Sequence, residues 1–200
     1  VGDLLALRER GFEAALAARR TAGAHVLGVC GGYQMLGERI LDPEGVESAE
    51  TEVAGFGLLP VTTTFAADKV TVPVRVRGAG TGWLDADVAV QGYEIHMGLT
   101  EGACRPLFEV AEGASAGRPE GSVSDDGRVA GTYVHGLFDD YSVLAGLARV
   151  LGVSEERIAV CREGRPARGE ANDAAYDRLA AVLRENLDLD FVRALVRGEG

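Results

Sequence analysis

Leu5, Phe12, Leu16 and the alanines between them line one side of a helical repeat over residues 2–20, and Arg19, Arg20 and Gly23 supply its stop. The texture then changes: His25-Val26-Leu27 is a short apolar run that predicts a buried strand, and Tyr33–Ile40 returns to a helical pattern. Asp42-Pro43-Glu44-Gly45 is a turn, and the acidic stretch up to Glu52 reads as an exposed loop. From Gly55 to Ala103 the pattern is β-rich, with strands predicted at Phe56–Leu59, Val61–Phe65, Val70–Val76 and Val88–His96. Pro106–Val110 adds another strand, and Gly113–Gly127 reads as a polar, glycine-rich loop. Arg128–His135 predicts a strand that delivers a histidine at its C-terminal end. Leu144, Leu147, Ala148 and Leu151 recur at helical spacing before Gly152. Tyr176, Leu179 and Leu183 mark a further helix, with Asn172 or Asp173 as N-cap, and a short helix follows Asp190.

Alternating strands and helices predict an α/β fold with a largely parallel central sheet flanked by helices and a β-rich insertion. Ligands in such sheets sit beyond the carboxyl ends of the strands. Cys30 and His135 both occupy that kind of position, which is the argument for pairing them.

Composition narrows the classes. Two hundred residues, 46% of them hydrophobic, fit one domain (1–200) with a real core. A net charge of −11 argues against a nucleic-acid partner, because no basic face exists to displace counterions. No apolar run reaches the roughly 20 residues of a membrane span, and no secretory leader is present, so a cytoplasmic setting is expected. The three cysteines (30, 104 and 161) have no CxxC spacing and suggest neither a disulfide framework nor a metal site. Cys104 and Cys161 are expected to be inert.

Gly28-Val29-Cys30-Gly31-Gly32, lying between strand and helix, has the form of a nucleophile elbow with sulfur in place of oxygen. Crowding at such a turn is the expected reason for the neighbouring glycines. A thiol at a helix N-terminus is favoured as thiolate, and the Gly31 N–H is placed to bind an oxyanion. A glycine-rich βα turn around a buried cysteine fits this stretch equally well. With His135 as partner, Cys30 is a candidate nucleophile for an amide or ester carbonyl, and His135 the acid/base. His25 is expected to be structural. Glu94 and His96, two apart on a strand, share a face and fit a substrate-binding pair, an orienting pair or a satisfied surface pair. Gly78–Gly82 lacks the spacing and the following helix of a phosphate loop.

Gly28–Gly37, Gly92–Gly98 and Gly131–Asp139, in this order, resemble the C-terminal glutamine amidotransferase domain of cobyric acid synthase, in the triad (class I-like, flavodoxin-like) superfamily. Gly55–Pro60 and Leu187–Asp190 fit as well, so the resemblance covers nearly the whole chain. It implies ammonia release from glutamine, with Cys30 forming a γ-glutamyl thioester, His135 as acid/base and Gln34 as a glutamine-binding residue. It further implies use of that ammonia to amidate peripheral carboxylates of adenosylcobyrinic acid a,c-diamide. ATP, magnesium and the corrinoid belong to a synthetase domain expected upstream, and no cofactor is expected in this chain. Further strands of the amidotransferase domain and a loop with a second oxyanion donor are expected before Val1, leaving the isolated chain weak or inactive. Where the wider superfamily has a glutamate two residues after the histidine, this chain has Leu137, so Glu94 and Asp139 are the candidates to orient His135. A glutaminase subunit that amidates lipid II, a non-catalytic module of the same fold, and a cysteine peptidase or esterase remain the alternatives.

Overall fold

The computed structural model describes residues 1–86, 88–163 and 168–198, which fall into two compact units, Val1–Ser154 and Glu155–Gly200. The first unit is a mixed α/β structure with strands flanked by helices. Its N-terminal helical stretch is two helices, α1 (Gly2–Glu9) and α2 (Phe12–Thr21). The break between them is Gly11, whose φ of 77° cannot continue a right-handed helix.

Strand β1 (Val26–Val29) leads through Cys30 into α3 (Gly31–Leu36). That helix is shorter than the predicted Tyr33–Ile40, because Arg39–Leu41 forms strand β2 instead. β2 pairs antiparallel with β3 (Glu52–Ala54), so the acidic stretch ends in a strand rather than an exposed loop. Asp42 is buried there and accepts hydrogen bonds from the backbone N–H groups of Val46, Glu47 and Ser48. Phe56–Leu59 is not a strand. Its backbone caps α3: Phe56 N–H donates to the Met35 carbonyl, and those of Leu58 and Leu59 to the Leu36 carbonyl. The last carbonyls of a helix lack internal partners, and this segment satisfies them.

The two central predicted β segments fuse into β4 (Val61–Gly78), which runs antiparallel to β5 (Ala89–Gly102). A register shift between Thr64 and Lys69 lets one strand bridge what the sequence divides into two. Strand β6 (Phe108–Val110) adds to β4, and β7 (Pro119–Glu120) adds to β6. Strand β8 (Ser122–Val123) pairs with β9 (Val129–Thr132). The region predicted as a polar loop thus carries two short strands.

The predicted strand 128–135 is split at Tyr133. Its first part, β9, is parallel to β1 in a three-stranded sheet, and its second, β10 (Val134–His135), pairs with β5 in the seven-stranded sheet. Parallel pairing among the described residues lies in β1–β9 and β2–β4, and the β-rich insertion is antiparallel. Beyond His135 come a 3-10 turn (Leu137–Asp139) and α4 (Tyr141–Val150), which Asp140 caps by accepting from Ser142 N–H. Val143, Ala145 and Gly146 form the buried side of α4, whereas Leu151 is exposed. The inward face is therefore rotated from the one the leucine spacing suggests.

The largest apolar cluster joins Val74, Val76, Val90, Leu107 and Phe108 of the insertion to Ala130, Val134 and Val143. Burying side chains of this size stabilises the fold by roughly 1.5–3 kcal/mol each. A second cluster, around Tyr33, Leu36, Val61, Val129 and Tyr133, packs the elbow helix onto β9.

The second unit holds α5 (Glu155–Glu163), α6 (Arg168–Asn186) and α7 (Leu189–Arg197). Asn172 and Asp173 lie inside α6 rather than capping it. Tyr176, Leu179 and Leu183 are exposed. Asp188 is a true N-cap, accepting from the N–H groups of Asp190 and Phe191 at the start of α7.

Candidate functional site

Cys30 is the single non-glycine residue with positive φ among the described residues (φ 54°, ψ −117°). Such a conformation costs about 1–3 kcal/mol and persists only where its surroundings impose it. Here they do. Cys30 N–H donates to the Thr132 carbonyl (2.8 Å), and the Cys30 carbonyl accepts from Gln34 N–H (3.1 Å). A Cβ at Gly28 would lie 2.7 Å from the Gly32 backbone and from Leu36 Cδ1, so this glycine answers to crowding as expected. Gly31 and Gly32 do not: a Cβ at either would meet open space. Gly31 is the first residue of α3. Its N–H opens α3 and has no intrahelical carbonyl to bind.

The thiol of Cys30 donates to the Ile95 carbonyl of β5 (3.3 Å). His135 pairs in register with Tyr93, two residues earlier on the same strand. One short stretch of β5 therefore receives both the sulfur and the imidazole, although 105 positions separate them in the chain. The chain crosses from β9 to β10 between the two contacts. Gly92 permits this closeness, because a Cβ there would collide with the His135 carbonyl.

The His135 ring stacks on Tyr93 (centroids 5.1 Å apart, planes 5° apart), and its Nε2 is buried with no hydrogen-bond partner. Both oxygens of Glu94 accept from Arg118 Nη2 (2.7 and 2.9 Å), so the orienting role expected of Glu94 gives way to an ion pair. Asp139 ends the 3-10 turn, where its N–H donates to the Gly136 carbonyl. The aromatic face of Tyr93 is what steadies His135, a role sequence reasoning missed.

His96 is not paired with Glu94. Its ring stacks on Tyr133 at 3.9 Å, and its Nδ1–H donates to the Gly98 carbonyl. Gln34 is buried and donates to the Tyr133 hydroxyl (3.2 Å), which is also bonded to Thr100 Oγ1 (2.6 Å). Burial raises the pKa of the Tyr133 hydroxyl, keeping it protonated within this network.

Glu120, read at first as part of a loop, is a buried carboxylate that accepts from Thr132 Oγ1 and Tyr133 N–H, both at 2.7 Å. Its only sequence signal is a charged residue next to Pro119 and Gly121 at the β7–β8 corner. Burial also raises the pKa of the Cys104 thiol, so it remains protonated and a poor nucleophile. No group of three or more His, Cys, Asp or Glu among the described residues is arranged to hold a metal ion. No helix among them is long and apolar enough to cross a membrane.

Residues 1–143 match the family model of the CobB/CobQ-like glutamine amidotransferase domain. The chain is 44% identical over 197 residues to the cobyric acid synthase of Rhodobacter capsulatus, covering 98% of this chain and 38% of that protein. With the cobyric acid synthase of Hyphomonas neptunium it shares 41% identity over 202 residues, covering 100% of this chain and 37% of that protein. The chain therefore spans less than two fifths of the length of these relatives. A solved structure, PurLQS from Thermotoga maritima, matches at a TM-score of 0.49 and 15% identity, covering 70% of this chain and 68% of that one. With its elbow cysteine intact, the chain belongs to the CobB/CobQ-like glutamine amidotransferase family.

Proposed function

We propose that this chain is the glutamine-hydrolysing part of a cobyric acid synthase, with Cys30 as nucleophile and His135 as its acid/base partner. The observation that supports this reading is that a strained Cys30, whose thiol donates to the Ile95 carbonyl, and His135, stacked on Tyr93, are both held against residues 93–95 of one strand. The similarity to cobyric acid synthases over nearly the whole chain supports the pathway.

In the proposed reaction, Cys30 Sγ attacks the side-chain amide carbon of glutamine as its proton passes to His135. The oxyanion that forms accepts from Gly31 N–H. Protonated His135 gives its proton to the departing nitrogen, which leaves as ammonia, and a γ-glutamyl thioester remains. His135 then takes a proton from water, whose oxygen attacks the thioester to release glutamate and restore the thiol.

The ammonia goes on to amidate carboxylates of adenosylcobyrinic acid a,c-diamide. We assign ATP, magnesium and the corrinoid to a synthetase domain in the complete cytoplasmic enzyme.

Replacing His135 with alanine in the complete enzyme tests the reading. Glutamate release from glutamine should fall by about 10²–10⁴-fold, the usual contribution of a general acid/base. A folded His135→Ala enzyme that hydrolyses glutamine at the wild-type rate would contradict it.

A further inference from the structure

We propose that Glu120 is a positioning residue for the Cys30–His135 pair, its buried carboxylate clamping the β9–β10 crossover that sets the thiol and the imidazole relative to one another. The inference rests on the assignment of those two residues as the reacting pair. Thr132 is the junction. Its carbonyl accepts from Cys30 N–H, its hydroxyl donates to Glu120, and the same hydroxyl oxygen accepts from Val134 N–H (3.0 Å). Tyr133 N–H, at the point where the strand leaves one sheet for the other, donates to the second Glu120 oxygen. The backbone at the break is thus held by Glu120 directly at Tyr133 and through the Thr132 hydroxyl at Val134, next to Cys30 on one side and His135 on the other. A continuous strand would satisfy these N–H groups through its ladder. Here the carboxylate takes that of Tyr133 and the Thr132 hydroxyl that of Val134, and the chain is free to change sheets.

The clamp is strongest with Glu120 ionised, because hydrogen bonds to a carboxylate are charge-assisted. Burial opposes that charge and the nearby Glu94 adds to the opposition. The hydrogen bonds from Thr132 and Tyr133 and the Arg118 guanidinium favour it. The balance leaves the Glu120 pKa raised from 4.5 to about 7. Tyr33 of α3, Tyr133, Glu101, and the Cys104 and His96 side chains line the same cavity as Glu120. A folded pKa above the unfolded one means that Glu120 favours folding below about pH 4.5 and that this contribution is lost as pH rises through 7. Over the same interval the clamp tightens. Activity should therefore rise with pH where the contribution of this group to stability falls.

The test is Glu120→Gln in the complete enzyme, with glutamate release followed against pH. A misplacement of reacting groups by about 1 Å costs about 10²-fold, and a loss of that order in kcat is expected, with KM unchanged and the acid limb of the profile displaced. Thr132→Val, which removes the hydroxyl of the same clamp, should lower kcat without raising KM. The double variant should be no worse than Glu120→Gln alone, as expected for residues acting as a unit. Wild-type kcat and pH profile in folded Glu120→Gln would overturn the proposal. If Glu120→Gln does not fold, wild-type kcat in folded Thr132→Val would do so. Cys30→Ser, assayed alongside, separates this failure from that of the underlying reading: hydrolysis surviving in Cys30→Ser removes the reacting pair itself.

Discussion

Cys30→Ser in the complete enzyme should abolish glutamine-dependent amidation and leave amidation from added ammonia largely intact. Serine preserves the elbow, since it occupies the position of the thiol and can donate to the same Ile95 carbonyl. The backbone conformation at φ 54° is imposed by neighbouring hydrogen bonds rather than by sulfur, so the fold should be retained. What is lost is chemistry. A hydroxyl at this site is far less acidic than a thiol and so a far weaker nucleophile at neutral pH. Rates with glutamine and with ammonia, measured on one preparation, check the prediction. Loss of both rates in a folded variant would contradict the division of labour between the two parts of the enzyme.

Gly131→Ala is expected to be the most damaging small substitution in the core of the site. Gly131 lies opposite Gly28 in the β1–β9 pair, and its missing side chain makes room for the Tyr33 ring, into which an added Cβ would project. Neither partner can easily yield. β9 is held between β1 and β8, and Tyr33 is buried, with its hydroxyl bonded to Ser122 Oγ at 2.6 Å. Overpacking of this kind costs about 1–3 kcal/mol, and with both sides fixed a value near the top of the range is expected. Because Tyr33 belongs to α3, relief of the clash displaces the helix that begins at Gly31, and glutamine hydrolysis should fall along with stability. Denaturant unfolding of Gly131→Ala, alone and combined with Tyr33→Leu, checks this. The smaller partner should recover part of the loss, and strictly additive costs would show that the ring is not the obstacle.

The elbow was legible because its information is local. An apolar strand, a glycine that excludes a Cβ, a cysteine and a helix follow one another within a dozen residues. The placing of Cys30 and His135 at strand ends was legible for the same reason. What escaped depends on partners distant in sequence. Nothing in Val129–His135 marks Tyr133 as a break. It arises because Glu120 and the Thr132 hydroxyl take backbone N–H groups that a ladder would otherwise use. Glu120 itself sits among glycines and polar residues, a composition that reads as solvated loop until β6 and β9 close over it. Phe56–Leu59 has strand composition, but the unsatisfied carbonyls at the end of α3 claim its N–H groups. The stacking of Tyr93 on His135 was hidden because the register between β5 and β10 had to be known first.

The central claim is that Cys30 is a nucleophile shaped for the glutamine side chain. Mass spectrometry of the complete enzyme after reaction with the glutamine-mimicking electrophile diazo-oxo-norleucine tests it most directly. The expected result is a single adduct, on Cys30, formed more slowly in His135→Ala. Equal modification of Cys104, or an unmodified Cys30 in folded enzyme, would contradict it.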